Sequence, residues 1–141
     1  MTAIYFDYAA TAPLHPRALD AMHDCLDNSF GNPSSIHFYG QMAESVLENR
    51  RSMVAQWLGA MAQEVVFTSG GSESDNLAVR GVALAQRQRG KTHLLVSAVE
   101  HPAVMQTARA LAAEQGFVLE LLPVDDDGRV LPRVVESALR P

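Results

Sequence analysis

Cysteine and lysine are almost absent from this sequence, since each occurs once, as Cys25 and Lys91. A single cysteine excludes an internal disulfide framework and any metal site built from several thiolates. The histidines His15, His23 and His93 show no ligand spacing with one another or with carboxylates. We therefore predict no metal site in this chain.

An excess of positive charge and long hydrophobic runs are lacking as well. Lysine and arginine number 11 against 16 aspartates and glutamates, which gives a formal net charge of -5. A chain of this kind has no basic stripe to neutralise nucleic-acid phosphates, so we expect no DNA or RNA partner. No apolar run is long enough to span a bilayer, and the first residues do not resemble a signal peptide. These absences predict a cytoplasmic protein without a membrane segment.

The length of the chain, 141 residues of which 48% are hydrophobic, suits one ordinary core. We expect one domain, or a piece of a larger one. Over residues 1–60 the hydrophobic periodicity predicts an N-terminal segment with helices at Pro16–Asn28 and at about Gln41–Leu58, the second ended by Gly59. The stretch FGNPSSIHFYG between them is punctuated by glycine and proline, which is typical of a loop.

Residues 61–141 repeat one pattern, in which a short apolar strand is followed by a helix. The three predicted units are EVVFT with a helix to about Arg87, THLLVSA with a helix from Pro102 to about Glu114, and FVLELLPV with a helix near Leu131 to Leu139. Strands that alternate with helices pair in parallel through right-handed crossovers. The predicted class is α/β, with residues 61–141 forming the first part of a parallel-stranded domain.

The glycine-rich stretch FTSGGSESDN connects the first of these strands to its helix. Ser69, Gly70 and Gly71 are expected to turn the chain, and glycine also lets a ligand approach the main chain closely. The first N–H groups of a helix have no internal partner and its dipole makes that end positive, so an anion such as phosphate fits there, with the Ser72 hydroxyl as a further donor. An alternative is that Ser72 merely caps the helix, paired with Asp75 in a weak capping pattern.

His101 follows the strand THLLVSAVE and directly precedes Pro102, the predicted first residue of the next helix. This places it at the carboxyl end of its strand, on the same edge of the sheet as the glycine-rich turn. In open α/β sheets, ligands bind outside that edge. An imidazole there can stack on a flat ring or move a proton near neutral pH, or it can simply hydrogen-bond to backbone.

Four stretches together resemble the amino-terminal part of a cysteine desulfurase, a pyridoxal-phosphate enzyme of the class V aminotransferase group. They occur in family order: YFDYAATAP, GNPSS-x-H-x-x-G, FTSGGSESDN and VEHPAV. The resemblance implies part of the large domain of a fold type I pyridoxal-phosphate enzyme.

The resemblance also implies roles for particular residues. The backbone around Gly70 and Gly71 and the hydroxyl of Ser72 would bind the cofactor phosphate, and His101 would stack on the pyridine ring and take part in proton transfer. Three residues would lie near the substrate pocket: Ala10, Thr11 and Asn32. Ala12 stands where the family often has a second threonine.

The reaction that the resemblance implies converts L-cysteine to L-alanine and leaves the sulfur on the enzyme as a persulfide. It implies a homodimer, sulfur-acceptor proteins and a place in iron–sulfur cluster assembly. The family's cofactor-binding lysine and nucleophilic cysteine lie beyond the segment that corresponds to Pro141, so this chain alone is predicted to be truncated and inactive. Lys91 is expected at the opposite edge of the sheet from His101, and Cys25 is expected to be a buried structural thiol.

Two other functions remain open at this point. The chain could work as a non-catalytic phosphate-binding or interaction module. It could also be part of another class V enzyme that acts on a different amino acid. An incomplete sheet would have an exposed edge, which is an independent reason to expect self-association.

Overall fold

The computed structural model describes residues 3–140 and groups them into two compact units, one up to Val66 and one from Phe67. Helices α1 and α2 belong to the first unit and span Pro16–Asn28 and Phe38–Leu58, with a 3₁₀ turn at Ala62–Glu64. The second unit runs α3 (Gly71–Arg87), β1 (His93–Ser97), α4 (Pro102–Gln115), β2 (Val118–Leu122) and α5 (Pro132–Ala138). None of the helices in this described part is long and apolar enough to cross a membrane.

The bounds of α1 agree with the prediction, but its environment does not. None of its residues is buried, and Cys25 is half-buried rather than buried. The neighbouring apolar side chains Met22 and Leu26 are 52% and 68% exposed. The prediction of a buried thiol was therefore wrong for the unit as described, because the apolar face of α1 is not covered within it.

Helix α2 begins at Phe38, three residues before the predicted start, so the last residues of FGNPSSIHFYG belong to the helix. Its N-cap is His37, whose Nδ1 accepts a hydrogen bond from the Gly40 N–H at 3.3 Å. The prediction missed this start because histidine is not among the residues that usually mark a helix N-terminus. At the other end Gly59 adopts the left-handed conformation, with φ 66°, which confirms it as the stop.

The two strands pair in parallel, with His93 opposite Val118 and Ser97 opposite Leu122. The parallel α/β prediction is confirmed for these two strands and the helix α4 between them. The first predicted strand, EVVFT, does not form: among residues 3–140 the sheet has two strands, and Val66 is 63% exposed. An apolar, β-branched run becomes a strand only when another strand accepts its hydrogen bonds, and here it finds none.

The core of the second unit lies where α4 packs against α3 and against the sheet. Leu111 and Ala108 of α4 are fully buried, and Leu111 clusters with Ala83 of α3 and with Phe117. A second cluster joins Ala108 to Val96 of β1. Helix α4 is therefore the element that ties the unit together.

Helices α3 and α4 lie side by side and run in the same direction. Near their first turns the Thr107 hydroxyl donates to the Asn76 Oδ1 at 2.6 Å, and at their last residues the Arg87 Nη1 donates to the Gln115 Oε1 at 3.0 Å. Asn76 and Thr107 each stand five positions after the first residue of their helix. The amino-terminal ends of α3 and α4 therefore lie at the same end of the unit.

Glu120, in the middle of β2, links that strand to the first residue of β1 and to Arg140. The Glu120 Oε2 lies 2.8 Å from the Arg140 Nη2 and 3.1 Å from the His93 Nε2. The hydrogen bond from Arg140, followed by that from His93, lowers the pKa of Glu120 from its ordinary value of 4.5. Both partners favour the charged form of this carboxyl in the folded chain.

This arrangement predicts a stability that depends on pH. A carboxyl whose pKa is lower in the folded state stabilises that state above its unfolded pKa, and the contribution is lost as the pH falls through the folded pKa. Glu120→Gln should therefore lower the denaturation midpoint at about pH 7, and the difference from the parent chain should vanish as the pH falls below 4.5. The test is a series of urea melts at different pH. A difference in midpoint between the variant and the parent chain that stayed constant across the series would contradict this role of Glu120.

Candidate functional site

The loop that leads into α3 is held by its own side chains. The Glu73 carboxylate accepts hydrogen bonds from the Ser69 backbone N–H at 2.7 Å and from the Ser69 hydroxyl at 2.6 Å. The hydroxyls of Thr68 and Ser74 lie 2.6 Å apart, and both are within 3.3 Å of the Gly70 carbonyl oxygen. These bonds fix the loop against the first turn of the helix.

The hydrogen bond from the Ser69 hydroxyl, followed by that from the Ser69 N–H, lowers the pKa of Glu73 from its ordinary value of 4.5. Glu73 is therefore a carboxylate at neutral pH. Its negative charge lies in the first turn of α3, where it is favourable to the helix dipole. Its role in clamping Ser69 was missed in the sequence, although a glutamate in the third position of a helix is a recognised signal for such a contact.

Ser72 has a different environment from the other hydroxyls of this loop. The helix is capped by the Gly70 backbone, without a side-chain cap, so the alternative in which Ser72 and Asp75 cap the helix was wrong. Among the described residues the Ser72 hydroxyl has no hydrogen-bond partner, and neither do the N–H groups of Gly71, Ser72 and Glu73. A set of unpaired donors therefore faces outward at the positive end of α3.

Gly70 and Gly71 do not form a tight turn here, and their lack of a side chain leaves the backbone accessible. The φ of Gly70 is 166°, an extended conformation open to any residue, and Gly71 is already helical. A Cβ built at either position would meet nothing within 4 Å. The surface in front of the donors is thus open, and glycine keeps it open for a group that approaches the backbone closely.

His101 is the N-cap of α4 and is exposed. Its Nδ1 accepts a hydrogen bond from the Ala103 N–H at 3.1 Å, so the backbone contact considered in the sequence is present. An Nδ1 that accepts leaves the proton of the neutral ring on Nε2, which makes no hydrogen bond with the described residues. The ring is held at one nitrogen and free at the other.

Ser72 and His101 occupy corresponding places in the second unit. Each lies at the amino-terminal end of its helix, and α3 and α4 run parallel with those ends level. The structure therefore brings the two predicted residues to the same end of the unit. Lys91 precedes β1 whereas His101 follows it, so the lysine lies at the other end of that strand, as predicted.

The predicted substrate-pocket residues belong to the first unit. The N–H groups of Ala10 and Thr11 donate to the Asp7 carbonyl oxygen at 3.1 and 3.3 Å, in a turn. The Asn32 Oδ1 accepts from the Ser34 N–H at 2.9 Å. The hydrogen bonds of these residues are thus made with near neighbours in the sequence.

Within residues 3–140 there is no group of three or more histidine, cysteine, aspartate or glutamate side chains that could hold a metal ion.

The motif GNPSS-x-H-x-x-G folds its loop onto the first turn of α2. A Cβ at Gly31 would run into the Tyr39 carbonyl oxygen, and one at Gly40 into the Ser35 carbonyl oxygen. The rings of Phe30 and Tyr39 stack with centroids 5.6 Å apart. Both glycines of the motif are therefore needed for close backbone contact.

Comparison with known proteins agrees with this arrangement. The family model "Aminotransferase class-V" matches residues 4–141. The chain is 48% identical over 140 residues to a cysteine desulfurase IscS of Pseudomonas putida strain F1, an alignment that covers 97% of the chain and 34% of that enzyme. The chain thus spans about a third of the length of that relative.

Two solved structures have the same fold over nearly the whole chain. A "NifS-like protein" superposes with a TM-score of 0.89 at 33% identity, covering 98% of this chain and 37% of that one. "SspA in complex with cysteine" superposes with a TM-score of 0.86 at 39% identity, covering 97% of this chain and 39% of that one. The parallel α/β unit is part of a fold type I domain. The chain belongs to the class V aminotransferase family, whose members depend on pyridoxal phosphate.

Proposed function

We propose that this chain forms the phosphate-holding part of a pyridoxal-phosphate-dependent cysteine desulfurase. The observation that carries the proposal is the set of unpaired donors at the start of α3, where the Ser72 hydroxyl and three N–H groups face open space. A phosphate ester accepts several hydrogen bonds and carries negative charge, so it fits this set. Gly70 and Gly71 would allow the close approach.

The residues present fit the phosphate despite the nearby carboxylate of Glu73. That carboxylate is turned toward Ser69 and accepts two hydrogen bonds there, so part of its charge is already compensated. The four outward donors remain available. We call this set, made of the Ser72 hydroxyl and the N–H groups of Gly71, Ser72 and Glu73, the phosphate cradle.

His101 would act on the pyridine ring of the cofactor whose phosphate the cradle binds. Pyridoxal phosphate, when bound, supplies an electron sink for a carbanion on an amino-acid substrate. His101 would lay its ring against the pyridine and move a proton at Nε2, because Nδ1 is occupied by the Ala103 N–H. The backbone contact thereby orients the imidazole and sets which nitrogen carries the proton.

The overall reaction proposed for the enzyme takes L-cysteine and an enzyme thiol to L-alanine and an enzyme persulfide. The carbon–sulfur bond of the substrate breaks, a sulfur–sulfur bond forms, and the thiol proton balances the new C–H bond of alanine. Neither Cys25, in α1, nor Lys91, at the far end of β1, is assigned a part in it. Ala10, Thr11 and Asn32 are proposed to border the substrate, and sulfur-acceptor proteins and a second copy of the chain are the proposed partners.

The test is a titration of the purified chain with pyridoxal phosphate, followed by visible absorption, with inorganic phosphate as competitor. We expect specific binding that Ser72→Ala weakens roughly ten- to a hundredfold, since a hydrogen bond to a charged group contributes about 1.5–3 kcal/mol. Ser137→Ala is the matched control, because that hydroxyl contacts only the Val134 carbonyl oxygen of its own helix. No stoichiometric adduct should be trapped on Lys91 by borohydride.

Other outcomes have definite meanings. A stoichiometric adduct at Lys91, found by peptide mass spectrometry, would show that the lysine reaches the cofactor and that its assignment here is wrong. Equal pyridoxal-phosphate affinities of the Ser72→Ala and Ser137→Ala variants would show that the phosphate cradle does not bind the cofactor. Binding of phosphate that never extends to the pyridoxal ring would favour the non-catalytic phosphate-binding module.

A further inference from the structure

Thr107 is the polar residue that the second unit buries most deeply. It is 4% exposed, and its hydroxyl lies 2.6 Å from the Asn76 Oδ1 and 2.8 Å from the Ala103 carbonyl oxygen. A buried hydroxyl without a partner is costly, so these contacts fix the side chain in place. The hydroxyl thus links α4 to α3 near the start of both helices.

Asn76 extends this link into the first turn of α3. Its Nδ2 donates to the Ser72 carbonyl oxygen at 2.8 Å, while its Oδ1 faces the Thr107 hydroxyl. The amide orientation is determined by these two neighbours, because a carbonyl oxygen can only accept and the hydroxyl has a proton to give. The single proton of the Thr107 hydroxyl is shared between the Ala103 carbonyl oxygen and the Asn76 Oδ1, so a continuous series of polar contacts runs from Ala103 through Thr107 and Asn76 to Ser72.

The two ends of this series are the two halves of the proposed site. Ser72 belongs to the phosphate cradle, and Ala103 is the residue whose N–H holds the Nδ1 of His101. We propose that Asn76 and Thr107 are positioning residues that hold the phosphate cradle and the His101 imidazole at a fixed separation. This inference rests on the proposed function, because the separation matters only if one ligand must reach both.

A fixed separation has a measurable effect on the affinity for a ligand that contacts both halves of the site. Pyridoxal phosphate would engage the cradle with its phosphate and His101 with its ring, whereas inorganic phosphate would engage the cradle alone. The affinity ratio of the two ligands therefore reports how well the two halves are aligned, since displacements of about 1 Å can cost a large factor in a two-point contact. A change in overall stability would not by itself alter that ratio.

The experiment uses the full chain and the variants Thr107→Val, Thr107→Ser and Asn76→Ala. Thr107→Val keeps the shape and removes the hydroxyl, and Thr107→Ser restores it. We expect Thr107→Val and Asn76→Ala to lower the preference for pyridoxal phosphate over inorganic phosphate about three- to tenfold, and Thr107→Ser to regain most of it. In the ligand-free chain, Thr107→Val should also shift the NMR signals of the Ser72 amide and the His101 ring.

Gln115→Ala is the matched control. It breaks the other polar contact between α3 and α4, at their far ends, and should leave the ratio and both NMR signals unchanged. If the parent chain binds both ligands at the cradle while Thr107→Val and Asn76→Ala leave the ratio and the signals as they were, the positioning role is wrong and the proposed function stands. If the parent chain binds neither ligand there, the proposed function fails and this inference fails with it.

Discussion

Leu111→Ala is expected to destabilise the second unit by about 2–5 kcal/mol, the largest effect of any substitution considered for this chain. Leu111 is 0% exposed and clusters with Ala83 and Phe117, so truncation leaves a cavity in addition to the lost burial. Because Leu111 packs α4 against α3, the loss also loosens the pair of helices whose first turns carry Ser72 and His101. We therefore expect weaker pyridoxal-phosphate binding at temperatures well below the melting point of the variant.

The measurement is urea denaturation of the parent chain and the variant, with Leu77→Ala as the control. Leu77 has the same side chain and also lies in a helix, α3, but is 52% exposed. Its truncation should cost well under about 1 kcal/mol, as surface substitutions do. Equal losses for the two leucines would mean that the core does not lie where α3, α4 and the sheet meet.

Gly40→Ala is expected to cost about 1–3 kcal/mol in the first unit, even though alanine is the better helix former. The new Cβ would run into the Ser35 carbonyl oxygen and lie 2.7 Å from the Ser35 Cβ and 2.8 Å from the Asn32 carbonyl oxygen. Backbone atoms cannot swing aside as a flexible side chain can. The loop that carries Asn32 must therefore move away from the first turn of α2.

Gly81→Ala is the matched control for this prediction. It makes the same change in a helix, but a Cβ there meets nothing within 4 Å, so it should stabilise the second unit by up to about 1 kcal/mol. Opposite signs for the two substitutions in thermal melts, together with faster proteolysis of the Gly40→Ala loop, are the expected result. A stabilising Gly40→Ala would show that the loop does not lie against the helix as described.

Several features of the fold were predictable because they are local. The bounds of α1 follow from Pro16 and a helical apolar spacing, and the end of α2 follows from Gly59, whose left-handed conformation suits glycine. The parallel strands β1 and β2 were predictable from apolar runs alternating with a helical segment. The order of motifs in the sequence was enough to indicate the class V family.

Other features depended on residues far apart in the sequence. The run EVVFT has strand composition but no partner in the described part of the chain, and a strand requires one. The buried position predicted for Cys25 failed because helical periodicity shows that a face is apolar, not that something covers it. The start of α2 at Phe38 was missed because the imidazole of His37 acts as a cap only through its contact with Gly40.

For the proposed site, the sequence by itself determined which groups are available: the glycines and Ser72 at the start of one helix, and His101 at the start of another. Only the tertiary structure decided that Ser72 is left unpaired while Glu73 clamps Ser69, and that α3 and α4 align their first turns through Asn76 and Thr107. Local sequence fixes backbone preference and chemistry, because those depend on neighbouring atoms. Which donors stay free, and which residues 31 positions apart meet, depends on how the helices pack, and packing is a property of the whole unit.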